Sequence, residues 1–114
     1  MYYIYMVRCS DDSIYTGIAA DLGRRLREHT EKAPAAAKYT RSRQVEALEM
    51  AWTAEDRSAA SRLECVIKRL PREKKLQLIA APQHMAELLP QLNDRDYTPL
   101  NSLSLADWVK GETK

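Results

Sequence analysis

Residues 2–9, YYIYMVRC, are aromatic, β-branched or otherwise apolar apart from Arg8. A run this apolar predicts a strand buried on both faces, because a half-exposed strand would alternate with polar residues. SDDS (10–13) supplies turn formers and IYTGI (14–18) a second short strand, so the N-terminus predicts a β-hairpin. The hairpin raises a question of pleat. Tyr5 and Tyr15 are separated by an even number of residues, so they share a face when the loop is odd in length and oppose each other when it is even. SDDS and its neighbours allow either.

The rest of the chain can be read around this hairpin. Asp21 is a good N-cap for a helix over about 22–32. APAAAKYTRSR (33–43) predicts a basic loop, and VEALEMAWT (45–53) a third strand. A second helix is expected from near Glu55 to about Leu70. Pro71 ends it and opens a third over 71–80. Beyond Pro82 the pattern weakens to a short helix over about 83–92 and a loop through DRDYTPLNSLS. The order β-β-α-β-α-α predicts an α+β domain: a small three-stranded antiparallel sheet flanked by helices, over residues 1–82, with residues 83–114 as a C-terminal extension.

Composition excludes several classes. At 114 residues, 45% hydrophobic and 30% charged, the chain is too apolar to be disordered, and no stretch approaches the roughly 20 apolar residues of a membrane helix. Cys9 and Cys65 lie far apart and in apolar runs. They are expected as small buried side chains in a reducing cytoplasm, not as a zinc or disulfide framework. The net charge of +2 hides an asymmetry: residues 1–82 carry +4 and residues 83–114 carry −2. Six Tyr and no Phe are present, and four of the Tyr (Tyr2, Tyr3, Tyr5, Tyr15) fall in the first fifteen residues.

Certain residues sit where chemistry could be done. In the first helix, helical spacing puts Leu22, Arg25, Leu26 and His29 on one stripe, while Arg24, Arg27 and Glu28 point elsewhere. An arginine turned towards a core needs an anion, either a protein carboxylate or a ligand phosphate, unless it snorkels at the core edge. In the second helix Glu64 borders the face of Ala60, Leu63, Val66, Ile67 and Leu70, with Lys68 four residues on. That spacing is an ordinary surface pair, or else a lone carboxylate beside a cleft of the kind that holds Mg²⁺ together with waters and a phosphate. Gly17 permits close approach of backbone or ligand.

These residues together resemble the GIY-YIG nuclease superfamily, and within it the small stand-alone bacterial branch of the UPF0213 type. Tyr3-Ile4-Tyr5 and Tyr15-Thr16-Gly17 resemble the paired name motifs at the right separation. Arg25 and His29 match the helix arginine and histidine, and Glu64, in LECVIK, matches the metal-binding glutamate. KYTR (38–41) and REKKLQLI are similar to the stand-alone branch, and the resemblance covers about residues 2–80. Tyr3 stands in place of the motif glycine and Thr16 in place of its isoleucine. Ile18 and Ala19 replace a polar or basic residue and a threonine found in other members.

The resemblance implies a metal-dependent endonuclease that hydrolyses phosphodiester bonds in single-stranded or structured DNA in the cytoplasm. In that reading Glu64 binds one Mg²⁺ or Mn²⁺ and Arg25 holds phosphate oxygens. Tyr5, Tyr15 and His29 supply the base, assigned to the Tyr15–His29 pair without choosing between its members. Lys38, Arg41, Arg43, Lys68, Arg72, Lys74 and Lys75 would track phosphates non-specifically, and Tyr39 would stack on a base or cover the core edge. The alternative is a nucleic-acid binding module of the same fold without cleavage activity of its own.

Overall fold

The computed structural model describes residues 1–31, 44–100 and 104–110. The expected basic loop, with Lys38, Tyr39, Arg41 and Arg43, lies outside them.

Strands β1 (Tyr2–Cys9) and β2 (Ile14–Ala19) form the hairpin. Cys9 faces Ser13, its N–H donating to the Ser13 carbonyl at 2.9 Å, so three residues form the loop. Asp12 takes the left-handed conformation at φ 68°, which suits a three-residue hairpin and which Asp tolerates better than most residues. The odd loop settles the pleat. Tyr5 lies opposite Gly17 and Tyr15 opposite Val7, so both tyrosines project from one face.

Helix α1 (Leu22–Glu31) follows, with Asp21 Oδ1 accepting from the Arg24 N–H at 3.1 Å. Strand β3 (Val45–Ala54) pairs with β1 on its other side, antiparallel. Its register slips twice, beside Val7 and beside Cys9, where Glu49 and Glu46 are the extra residues. The first slip moves Leu48 to the face of Val7 and the second returns Val45 to that of Cys9, which explains why VEALEMAWT alternates only in part.

Helix α2 (Arg57–Lys68) is capped by Asp56, whose side chain accepts from the Ala59 N–H at 2.8 Å. Pro71 precedes α3 (Arg72–Ala80), and a 3-10 turn at Pro82–His84 leads into the short α4 (Met85–Leu88). The tail then departs from expectation. Tyr97–Pro99, expected as loop, forms strand β4 on β3, so the sheet has four strands in the order β2-β1-β3-β4 and not three. A three-residue strand is too short to show alternation, and Pro99 is tolerated because β4 is an edge. Helix α5 (Leu105–Lys110) closes the described chain.

The central strand β1 is buried on both faces, as its composition demands. Ile4 and Met6 join Met50, Trp52 and the α2 residues Ala60, Leu63 and Ile67 on one side. Tyr5, Val7 and Cys9 join Leu22 and Leu26 of α1 and Ala51 of β3 on the other. Residues beyond position 82 enter both cores. Met85, Leu89 and Tyr97 lie in the first, where the Tyr97 hydroxyl donates to the Ala59 carbonyl at 2.7 Å. Leu100, Leu105 and Trp108 pack on the second, Trp108 edge-on to Tyr3 with ring centres 6.0 Å apart. Cys9 is buried as expected, but Cys65 is exposed, because it falls on the outer face of α2.

Candidate active site at the edge of the sheet

β2 is the edge strand opposite β4, with α1 on one side of the sheet and α2 on the other. Side chains from β1, β2, α1 and α2 meet there.

Tyr5 is the centre. Its ring is fully buried, and small residues lie opposite it on both neighbouring strands, Gly17 on β2 and Ala51 on β3. The ring lies so close over Gly17 that a Cβ there would come within 2.6 Å of the Tyr5 hydroxyl oxygen and 2.7 Å of Cζ. Gly17 keeps a negative φ, so space and not backbone conformation demands the glycine. The role expected for Gly17, close approach, is filled here by a tyrosine of the same chain.

The Tyr5 hydroxyl is 2.7 Å from His29 Nε2. Burial, and then the Arg25 charge, pull the His29 pKa down to about 4, so the ring is neutral at pH 7. Arg25 also hydrogen-bonds Tyr5, and a guanidinium can only donate. The Tyr5 oxygen thus accepts from Arg25, and the imidazole tautomer sets which of Tyr5 and His29 donates in the bond between them. Burial, then Tyr15, raise the Tyr5 pKa above the ordinary phenol value. The Arg25 contact opposes that rise, and the negative charge of Glu64 adds to it. Burial alone would lower the Arg25 pKa, but the bonds to Tyr5 and Glu28 outweigh it and the net shift is upward.

Tyr15 is half-buried. Its ring meets His29 edge-on at 5.6 Å and Tyr5 at 6.3 Å, and Lys68 Nζ stands 5.8 Å from its centre. Lys68 also pairs with Glu64 at 3.3 Å. Five residues singled out in the sequence, Tyr5, Tyr15, Arg25, His29 and Glu64, are thus brought together, with Gly17 and Lys68 beside them. Lys74 and Lys75 sit on the first turn of α3, outside the elements that build this cluster.

Two features escaped the sequence reading. Glu28, expected to point away, is half-buried and turns back to Arg25, with its carboxylate 3.1 Å from Nη1, and also to Arg24 at 3.6 Å. The spacings i,i+3 and i,i+4 were the available signal. Arg72, expected among phosphate-tracking residues, holds the hairpin loop: Nη1 donates to the Asp12 carbonyl at 2.6 Å and Nη2 to Asp12 Oδ2 at 2.9 Å. Residues 60 apart carry no sequence signal for such a pair.

For a metal, the protein side offers one carboxylate. Among the described residues no three His, Cys, Asp or Glu cluster as an all-protein cage. Glu64, partly exposed and beside the tyrosines, fits a hydrated divalent ion that takes its other ligands from water and phosphate.

A sheet edge of this kind, with two strand tyrosines, a helix Arg and His, and a Glu from the next helix, is the arrangement expected of a nuclease-type domain. The GIY-YIG catalytic domain model matches residues 1–77, and the chain belongs to the GIY-YIG family. UPF0213 protein FN1575 of Fusobacterium nucleatum is 43% identical over 81 residues, 71% of this chain and 79% of that protein. UPF0213 protein HQ_3675A of Haloquadratum walsbyi is 48% identical over 77 residues, 68% and 84% of the two chains. The solution NMR structure of UPF0213 protein BH0048 from Bacillus halodurans is 35% identical and superimposes with a TM-score of 0.48, covering 82% of this chain and 98% of that one. Among the described residues no helix is long and apolar enough to cross a membrane.

Proposed function

We propose that this protein is a metal-dependent endonuclease acting on single-stranded or structured DNA. The observation that carries the reading is the convergence of Tyr5, Tyr15, Arg25, His29 and Glu64 at one sheet edge. A buried core has no need of an arginine, a neutral histidine and a carboxylate gathered around two phenols; a phosphodiester in reaction does.

Arg25 binds and orients the phosphate through its planar fork. Tyr5, sealed from solvent, fixes Arg25 and shares a hydrogen bond with His29 Nε2. Tyr15, the more accessible phenol, meets the attacking water, and its edge contact with His29 joins it to the same proton-holding pair. Glu64 would hold one Mg²⁺ or Mn²⁺ once Lys68 swings aside. Such an ion supplies Lewis-acid stabilisation of phosphate charge and of the leaving oxygen.

The test is cleavage of labelled single-stranded, duplex and branched DNA with Mg²⁺ or Mn²⁺. Glu64→Ala is expected to abolish turnover while leaving the fold intact, since Glu64 is partly exposed and pairs with Lys68, itself half-exposed. Cleavage that survives Glu64→Ala, or no cleavage of any substrate, refutes the reading. Salt-sensitive DNA binding without cleavage would instead establish the binding-module alternative, which the Glu64–Lys68 ion pair favours because it occupies the carboxylate.

A further inference from the structure

Beside the tyrosine cluster, where β2 runs into α1, lies a cleft of about 300 Å³ lined by Ala19, Ala20, Asp21, Arg24, Arg25 and Glu28. Its lining combines two alanines with two arginines held by one glutamate. The Glu28 carboxylate is 3.1 Å from Arg25 Nη1 and 3.6 Å from Arg24 Nε. The remaining acid, Asp21, has one oxygen turned to the backbone N–H of Arg24 as the helix cap. Arg24 is largely exposed and Arg25 mostly buried, so the two guanidiniums run from solvent down to Tyr5.

We propose that this cleft is a second phosphate subsite, and that Glu28 is an internal stand-in for the substrate that a nucleic-acid strand must displace. The proposal rests on the reading that Arg25 receives a phosphodiester. A carboxylate and a phosphate offer a guanidinium the same pair of oxygens, so they compete for one fork. Because Glu28 engages both arginines, a ligand with one phosphate replaces only part of what Glu28 supplies. A strand carrying consecutive phosphates replaces all of it, one on Arg25 and the next on Arg24. The subsite thereby selects a polynucleotide over a mononucleotide or free phosphate without reading any base.

The test is a binding cycle with a fluorescently labelled thymidine decamer and, separately, inorganic phosphate, in low salt and without added metal so that no turnover intervenes. The proteins are the full chain, Glu28→Gln, Arg25→Gln and the double variant, each checked for an unchanged circular dichroism spectrum. Glu28→Ala serves as a second removal of the carboxylate. Releasing a partly exposed ion pair is expected to tighten decamer binding about three- to tenfold. In the Arg25→Gln background the gain should shrink to the part that comes from freeing Arg24, and inorganic phosphate should gain less than the decamer.

An equal gain with and without Arg25 overturns the proposal, because it shows only the added net charge. Unchanged or weaker binding in Glu28→Gln also overturns it, by showing that Glu28 props Arg25 in place. So does failure of every variant to bind the decamer. The two readings fail separately. A chain that cuts DNA but shows no Glu28 gain loses only this inference, while one that shows the Arg25-dependent gain but never cuts loses only the nuclease.

Discussion

Gly17→Ala is the sharpest probe of how the site is built. A Cβ at position 17 would lie 2.6 Å from the Tyr5 hydroxyl oxygen, 2.7 Å from Tyr5 Cζ and 3.1 Å from Tyr15 Cε2. Comfortable carbon contacts begin near 3.5 Å, so the overlap with Cζ is close to ~0.8 Å. A flexible chain end would yield cheaply, but the Tyr5 ring is rigid, fully buried and tied to His29 Nε2 at 2.7 Å. Relief requires either spreading β1 from β2 or tilting the ring off His29. Overpacking of this kind costs about 1–3 kcal/mol. Losing the buried hydroxyl–imidazole bond costs roughly 1–3 kcal/mol. Alanine stiffens the unfolded chain and returns about 0.4–1 kcal/mol. The net expectation is a loss of about 2–3 kcal/mol, which for a domain of this size is a fall in Tm of roughly 8–12 °C. Thermal unfolding followed by circular dichroism measures it. Adding Tyr5→Phe removes the nearest atom and the bond at once, so the double variant should lose less than the sum of the single losses. A Tm within about 2 °C of the parent, or strictly additive losses, would refute the argument that Tyr5 is why residue 17 is glycine.

Other outcomes follow from the same structure. His29, with its pKa pulled down to about 4 by burial and then by Arg25, resists a proton that the unfolded chain accepts near pH 6.5. The sign is fixed: its contribution is whole above about pH 6.5 and drains away as pH falls towards 4, by up to roughly 3 kcal/mol. Urea unfolding of the parent and His29→Gln across that window should show the parent's steeper decline, and parallel profiles would sink the assignment. Arg72→Ala should cost about 0.5–1 kcal/mol, since the pair with Asp12 is exposed. Arg72→Lys should fail to restore it, because lysine cannot reach carbonyl and carboxylate with one fork, and full rescue would count against the latch. Tyr97→Phe should lower stability by about 1 kcal/mol in denaturant titration, through the lost bond to the Ala59 carbonyl; a neutral effect would mean β4 does not tie α2 to the sheet.

The sequence by itself determined the parts whose signal is local. YYIYMVRC could only be an interior strand, Asp21 and Asp56 stand at helix starts they cap, and helical spacing put His29 and Leu26 on one buried stripe. Even the grouping of Tyr5, Tyr15, Arg25, His29 and Glu64 was legible, through the resemblance of their motifs to the GIY-YIG family. What the tertiary structure decided depends on residues distant along the chain. It fixed the three-residue loop that turns both tyrosines to one face, and the two register slips that reverse Leu48 and restore Val45. It added β4, whose three residues have meaning only beside β3. It also gave Arg72 a partner in Asp12, and it turned Glu28 inward onto two arginines. Periodicity says which way a side chain leaves its own helix or strand. Only packing decides which partner it meets there, and so whether a charge faces solvent, a neighbour or a substrate.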